Sequence, residues 1–302
     1  MFELLSSLRY RLFSQARPAL ENMKLRYDDS NENPLMIQFF TWDCLKEDIS
    51  WWKHFENEIP ALAAMGITQV WLPPPNKAAH KTGHGYDAYD LWDLGEFEQK
   101  GQVSTRWGTK DELLQACSVA QSHSIGILID AVLNHKMGAD RMEVMPAVPV
   151  RDDNRLKAIG KVRDIEGWTA YDFVGRQNKY SHFRWTQEHF TGVDWDQRSK
   201  TRQIFRISGG GHKGWSENVD RELGNYDYLL GADVSNSTPR TISFAEPVSR
   251  LIIATRPLKK ICYNGVNGYY KSVLFVLTHP ETYLTDPCAI GLFRQRGRWV
   301  FD

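Results

Sequence analysis

Leu128-Ile129-Asp130-Ala131-Val132-Leu133-Asn134-His135 decides the fold of this chain. Two aliphatic residues, one acid and three more apolar residues read as a strand buried on both faces, the pattern of a parallel sheet. The run ends in Asn-His, two side chains able to bind a metal or a hydroxyl group. Working back from it, Thr109 and Glu112 form a capping box before a helix carrying Leu113, Ala116, Cys117 and Ala120. Residues 67–72 give an earlier strand closed by Pro73-Pro74-Pro75, and Gly66 ends the helix in front of it. That helix spans residues 51–65, with Trp51, Phe55, Ile59 and Leu62 on one face, and Pro60 predicts a break or restart inside it. Residues 35–40 form the first strand, followed by Thr41-Trp42-Asp43. Strand, helix, strand, helix, strand predicts an α/β domain of parallel strands with right-handed crossovers.

After His135 the alternation stops. Residues 136–231 are rich in Asp, Gly, Trp and Tyr and hold few long apolar runs. A structureless loop of that length is improbable, so the segment reads as a small inserted domain. Gly209-Gly210-Gly211 is not followed by Lys-Ser or Lys-Thr, which makes it a turn and not a phosphate loop.

Composition narrows the partners. Basic and acidic residues balance at 37 each, which gives no reason to expect nucleic acid or an anionic membrane. No apolar run approaches the ~20 residues of a membrane span. The 11 Trp, 12 Tyr and 14 Phe can stack on sugar rings or fill a core. Cys44, Cys117, Cys262 and Cys288 lie far apart without a C-x-x-C pair. They form neither a metal knuckle nor a disulfide framework and suit a reducing, cytoplasmic location. In residues 1–25, Leu4, Leu5, Leu8 and Leu12 at helical spacing with Arg9, Arg11 and Arg17 fit a surface helix, a disordered extension or a mitochondrial presequence.

A family resemblance is carried by Gly83-His84-Gly85-Tyr86-Asp87-Ala88-Tyr89-Asp90-Leu91-Trp92-Asp93-Leu94-Gly95-Glu96-Phe97 and by residues 101–113. It continues through the strand quoted first, Tyr171-Asp172-Phe173-Val174-Gly175-Arg176 and Asp194-Trp195-Asp196. Its last matches are Gly224-Asn225-Tyr226-Asp227-Tyr228-Leu229 and Ala232-Asp233. Residues 35–233 thus resemble the α-amylases of glycoside hydrolase family thirteen, of the bacterial liquefying and fungal intracellular type. The resemblance implies the first three strands of a TIM barrel (35–135) followed by an inserted domain B (136–233), with the site at the strand C-termini. Residues 1–34 are then an extension and 234–302 a divergent tail.

By the same resemblance, Tyr86 is the aromatic platform under the sugar at the cleavage subsite, and His135 hydrogen-bonds a sugar hydroxyl there. Asn134, Asp227 and Asp233 match the side-chain ligands of a structural Ca²⁺, for which hard oxygen donors are suited. A further carbonyl ligand is missing, so the site is expected to be weakened. Thr191 and Ser216 replace acids of the bacterial second metal cluster, so no second metal is expected. Asp130 is a supporting residue whose family partner is an arginine on the fourth strand.

The departures matter as much. After Asp233 the chain reads Val234-Ser235-Asn236-Ser237-Thr238-Pro239, and no Gly-Phe-Arg-x-Asp, the strand of the family's nucleophile, follows. Residues 242–246 faintly resemble the strand of the acid/base Glu, and residues 274–279 echo a later Phe-Val-x-x-His-Asp motif in which Pro280 replaces the Asp. At about 30 residues per βα repeat, five further strands would need roughly 150 residues, more than the tail holds. An in-frame 5′ splice donor translates as Val-Ser, so a retained intron or frame change would account for the tail. An unfinished barrel predicts strand edges exposed on both sides, an Asp130 without its arginine, and a monomeric or aggregation-prone chain. Three readings follow: an α-1,4-glucan endohydrolase by descent lacking its carboxylates, a non-catalytic glucan-binding or regulatory protein, or a non-functional product.

Overall fold

A computed structural model describes residues 35–209, 214–215 and 230–235, together with the backbone of four strands within 258–301. The chain divides into the units Met1–Leu35 and Met36–Asp302, and the second is described here. The reading of residues 1–25, and Asp227, Ser216 and Glu246, lie outside the described residues.

The expected βα succession is present. Strand β1 (Met36–Gln38), helix α1 (Trp51–Ala64), strands β2 (Gln69–Leu72), β3 (Lys77–Ala78) and β4 (Ala88–Asp90), helix α2 (Lys110–Ser122) and strand β5 (Gly126–Ala131) follow in order. β1 pairs parallel with β2, Ile37 opposite Val70, and β2 with β5, Val70 opposite Ile127. Ser50 caps α1 by accepting from the Lys53 amide at 3.1 Å. The Thr109–Glu112 capping box opens α2. α1 closes in a Schellman motif, with Ile67 N–H on Leu62 O and Gly66 N–H on Ala63 O, and Gly66 takes φ +83°.

Pro60 does not break α1, contrary to expectation. Trp52, Phe55, Ile59 and Leu62 are buried on either side of it. At about 1.5–3 kcal/mol per buried side chain, that face outweighs the ~3 kcal/mol cost of one interior proline.

The segment after His135 is a second sheet. It contains β6 (His135–Lys136), β7 (Arg141–Pro149), β8 (Arg163–Ala170), β9 (Phe190–Asp196), β10 (Thr201–Ile207) and β11 (Ala232–Val234). The order is β6-β11-β9-β10-β7-β8, every pairing antiparallel. Met145, Ile165, Tyr171, Phe190 and Phe205 of this part share one continuous core with Phe55 of α1 and with Val70 and Ile127 of the first sheet. The joint is ionic as well. Arg176 and Asp90 are both buried, with Arg176 Nε donating to Asp90 Oδ2 at 2.8 Å. Lys136, also buried, donates to the Tyr89 carbonyl amid the rings of Tyr171, Phe173 and Trp185 at 5.5–5.7 Å.

The tail supplies β12 (Leu258–Asn264), β13 (Ser272–Leu277), β14 (Leu292–Gln295) and β15 (Arg298–Phe301). β13 pairs antiparallel with β5, Phe275 opposite Ile129, and the first sheet runs β1-β2-β5-β13-β12-β15-β14. The expectation of exposed edges on both sides is thereby corrected for β5. Its outward N–H and C=O groups demand partners, and an apolar strand of either direction supplies them. Among the described residues the parallel run stops at β5.

A surface cluster beside α2 yields a pH prediction. Burial opposes ionisation of Glu96, but Lys110, Lys179 and Tyr180 outweigh it and lower its pKa from 4.5 to about 2. A depressed carboxylate stabilises the fold above its unfolded pKa, and that contribution is lost as pH falls from 4.5 toward 2. Glu96 is partly solvated, so the contribution is expected at about 1–2 kcal/mol. Unfolding free energies of the wild-type chain and Glu96→Gln should differ by this amount at neutral pH and converge near pH 2. A gap that stays constant through the acid range would refute the assignment.

Candidate functional site

The C-terminal ends of β1, β2 and β5 face one side and carry the chemistry. Trp42 follows β1, with Asn134 and His135 just beyond β5. The β3–β4 hairpin, residues 79–87 at its tip, brings His84 and Tyr86 between them. Gly85 makes that tip feasible: its φ is +93°, and a Cβ there would lie 2.6 Å from Pro74 O.

Three aromatic rings stack into a deck. The Trp42 ring lies 4.3 Å from that of His84 at 19° and 5.9 Å from that of Tyr86 at 10°. His84 Nε2–H donates to Trp42 O at 2.6 Å, and Trp107 Nε1–H to His84 O at 3.1 Å. Trp42 remains 55% exposed. Tyr86 Oη donates to Asp130 Oδ2 at 2.7 Å. Buried Asp130, expected to want an arginine, therefore has a hydroxyl partner.

His135 is buried and held at both nitrogens: Nε2 contacts Tyr86 O at 2.7 Å, and Nδ1 contacts the Asn134 side-chain amide at 2.9 Å. Burial lowers its pKa to about 4, against the pull of the Tyr86 carbonyl, so the ring is neutral near pH 7. A neutral ring donating to a carbonyl through Nε2 must accept at Nδ1, which turns the Asn134 NH₂ toward it. A sugar hydroxyl reaches His135 only if one of these bonds opens.

The same orientation aims Asn134 Oδ1 away, where it is buried without a hydrogen-bond partner. Val234 N–H donates to Asn134 O at 2.9 Å, and buried Asp233 sits opposite His135 across the β11–β6 pairing. Asp233 Oδ2 accepts from Thr191 Oγ1 at 2.5 Å. Two of the expected cation ligands thus sit on adjoining strand ends, and the orphaned amide oxygen fits a hard cation. Among the described residues no three His, Cys, Asp or Glu side chains form a metal cluster.

Comparison with known proteins bears on the family. The chain is 43% identical over 211 residues to an α-amylase of Geobacillus stearothermophilus, covering 70% of this chain and 38% of that protein. It is 40% identical over 205 residues to the cytoplasmic α-amylase of Escherichia coli (strain K12), covering 67% of this chain and 41% of that one. The matched stretch belongs to the α-amylase family. Among solved structures, α-amylase I from Eisenia fetida aligns with a TM-score of 0.39 and 15% identity, covering 73% of this chain and 36% of that one. No family model matches the chain. The chain spans about two fifths of the length of these curated α-amylases.

Sequence reasoning selected Tyr86, Asp130, Asn134, His135 and Asp233, and the fold brings them to one end of the first sheet. It missed Trp42 and His84 of the α-amylase stretch. The available signal was an aromatic residue in the loop after the first parallel strand, where such folds carry their sites.

Proposed function

We propose that this chain binds α-1,4-glucan on the Trp42–His84–Tyr86 deck, and that its 302 residues do not hydrolyse it. The supporting observation is the exposed Trp42 ring, stacked nearly parallel with Tyr86 at the strand ends of a stretch of α-amylase descent. Flat, exposed aromatic faces suit the apolar face of a glucose ring, and Asp130 orients the platform through the Tyr86 hydroxyl. In this reading β1, β2 and β5 are the first three strands of a TIM barrel and the antiparallel sheet is domain B. The free thiols of Cys44 and Cys117 support a reducing, cytoplasmic location. Maltoheptaose binding by calorimetry is the test. Trp42→Ala is expected to weaken it about tenfold, the equivalent of ~1.4 kcal/mol. Unchanged affinity in both Trp42→Ala and Tyr86→Ala would overturn the reading.

Asn134, Asp227 and Asp233 would hold one calcium ion, supplying positive charge where the chain leaving β5 meets β11. With three side-chain donors and one family carbonyl missing, binding is expected to be weak and to vanish in Asn134→Ala. Tight stoichiometric uptake on calorimetry, or uptake surviving Asn134→Ala, would refute this donor set.

A further inference from the structure

Lys77 is fully buried at the base of the β3–β4 hairpin. Its ammonium lies 3.4 Å from Asp93 Oδ2 and donates to main-chain carbonyls: Phe97 O at 3.1 Å, Gln102 O at 2.9 Å and Val103 O at 2.5 Å, with Ser104 O at 3.4 Å. Three N–H bonds on a compact cation, ringed by carbonyl oxygens that replace its hydration shell, form the shell of a monovalent-ion site. Here the cation is tethered to the chain.

The segment so gathered reaches back to the deck. Gln102 Nε2 donates to Lys81 O at 2.8 Å, Arg106 Nη1 to Thr82 O at 2.9 Å, and Trp107 Nε1 to His84 O at 3.1 Å. Three side chains of one loop thus hold three carbonyls of the hairpin tip carrying His84 and Tyr86. We propose that Lys77 is a built-in monovalent cation whose carbonyl shell shapes residues 97–107 and, through Gln102, Arg106 and Trp107, positions the aromatic tip. Only the last consequence, an effect on glucan affinity, rests on the binding reading above.

Removing the tether while leaving the shell should create a site that free ammonium can fill. In Lys77→Ala, amide hydrogen exchange at Gln99, Gln102 and Thr105 and across residues 81–86 is expected to quicken about tenfold or more. Ammonium chloride should reverse this, whereas tetramethylammonium chloride, too large for the shell, should not. Lys77→Met fills the space with its own stem and should respond to neither salt. Exchange in Lys77→Ala that stays at the wild-type rate, or that both salts restore equally, overturns the proposal. If Lys77→Ala is insoluble, refolding yields in the two salts replace exchange: recovery in ammonium alone supports the proposal, and equal yields overturn it. Maltoheptaose affinity should fall and recover in step with exchange. Recovery of exchange without recovery of affinity overturns the positioning step, whereas failure of the wild-type chain to bind maltoheptaose removes the glucan reading and leaves the exchange result standing.

Discussion

Incubated with soluble starch, the purified chain of residues 1–302 is expected to release no reducing ends above background. Retaining hydrolysis needs a nucleophilic carboxylate and an acid about 5–5.5 Å apart across the scissile bond. Two described carboxylates beside the deck already have protein partners. Asp130 is buried and accepts from the Tyr86 hydroxyl. Asp87 turns into its own loop, where Oδ1 accepts from the Gly85 amide at 3.3 Å. An aromatic platform and a buried neutral histidine can orient a sugar but cannot form the glycosyl intermediate or protonate the leaving oxygen. Losing the carboxylates of such a site costs several orders of magnitude in rate, so the contrast with an intact α-amylase should be all or nothing. Turnover that survives repurification and the substitution Glu246→Gln would show that a carboxylate pair has been overlooked.

Arg176→Met is expected to be the most damaging single substitution in the described fold. Asp90 is completely buried and would lose its cation, while Lys179 O and Ser181 O, each 2.7 Å from Arg176 Nη1, would lose their donor. Breaking a buried ion pair by removing one partner costs about 3–5 kcal/mol, against a total stability of only about 5–15 kcal/mol. At roughly 2–4 °C per kcal/mol for a domain of this size, the melting midpoint should fall by roughly 6–20 °C. The exposed pair Arg141–Asp172, Nε to Oδ2 at 2.6 Å, is the control. Arg141→Met should leave the midpoint almost unchanged, because solvent already screens that pair. Restoring neutrality in the double variant Asp90→Asn/Arg176→Met should recover part of the loss. Equal midpoints for Arg176→Met and Arg141→Met would mean that the buried pair does not fasten the β3–β4 hairpin to the turn after β8.

Much of the first sheet was readable in advance because its signals are local. Thr109 and Glu112 lie three residues apart, and Leu113, Ala116 and Ala120 recur at helical spacing. Gly66 terminates α1 through bonds that reach back only three to five residues. Pro60 was misread because its effect was weighed without the burial of Ile59 and Leu62 beside it. The second sheet was legible only as a compact insert. Its register joins residues as distant as Lys136 and Ala232, and no short-range period encodes such pairings.

The site divides along the same line. Sequence by itself determined which residue types are present: the Asn134–His135 pair at a strand end, the Tyr86 loop, the acids at Asp130 and Asp233, and the α-amylase descent they carry. Only the tertiary structure decided what each one faces. It stacked Trp42 on His84 and Tyr86, gave Asp130 a tyrosine hydroxyl, and spent both nitrogens of His135 on protein partners. It also gathered around Lys77 carbonyls that lie 20 to 27 residues away in the chain. A side chain's chemistry is fixed by covalent structure, but its partner is whichever group packing brings within about 3 Å, and main-chain carbonyls leave no mark in the letters.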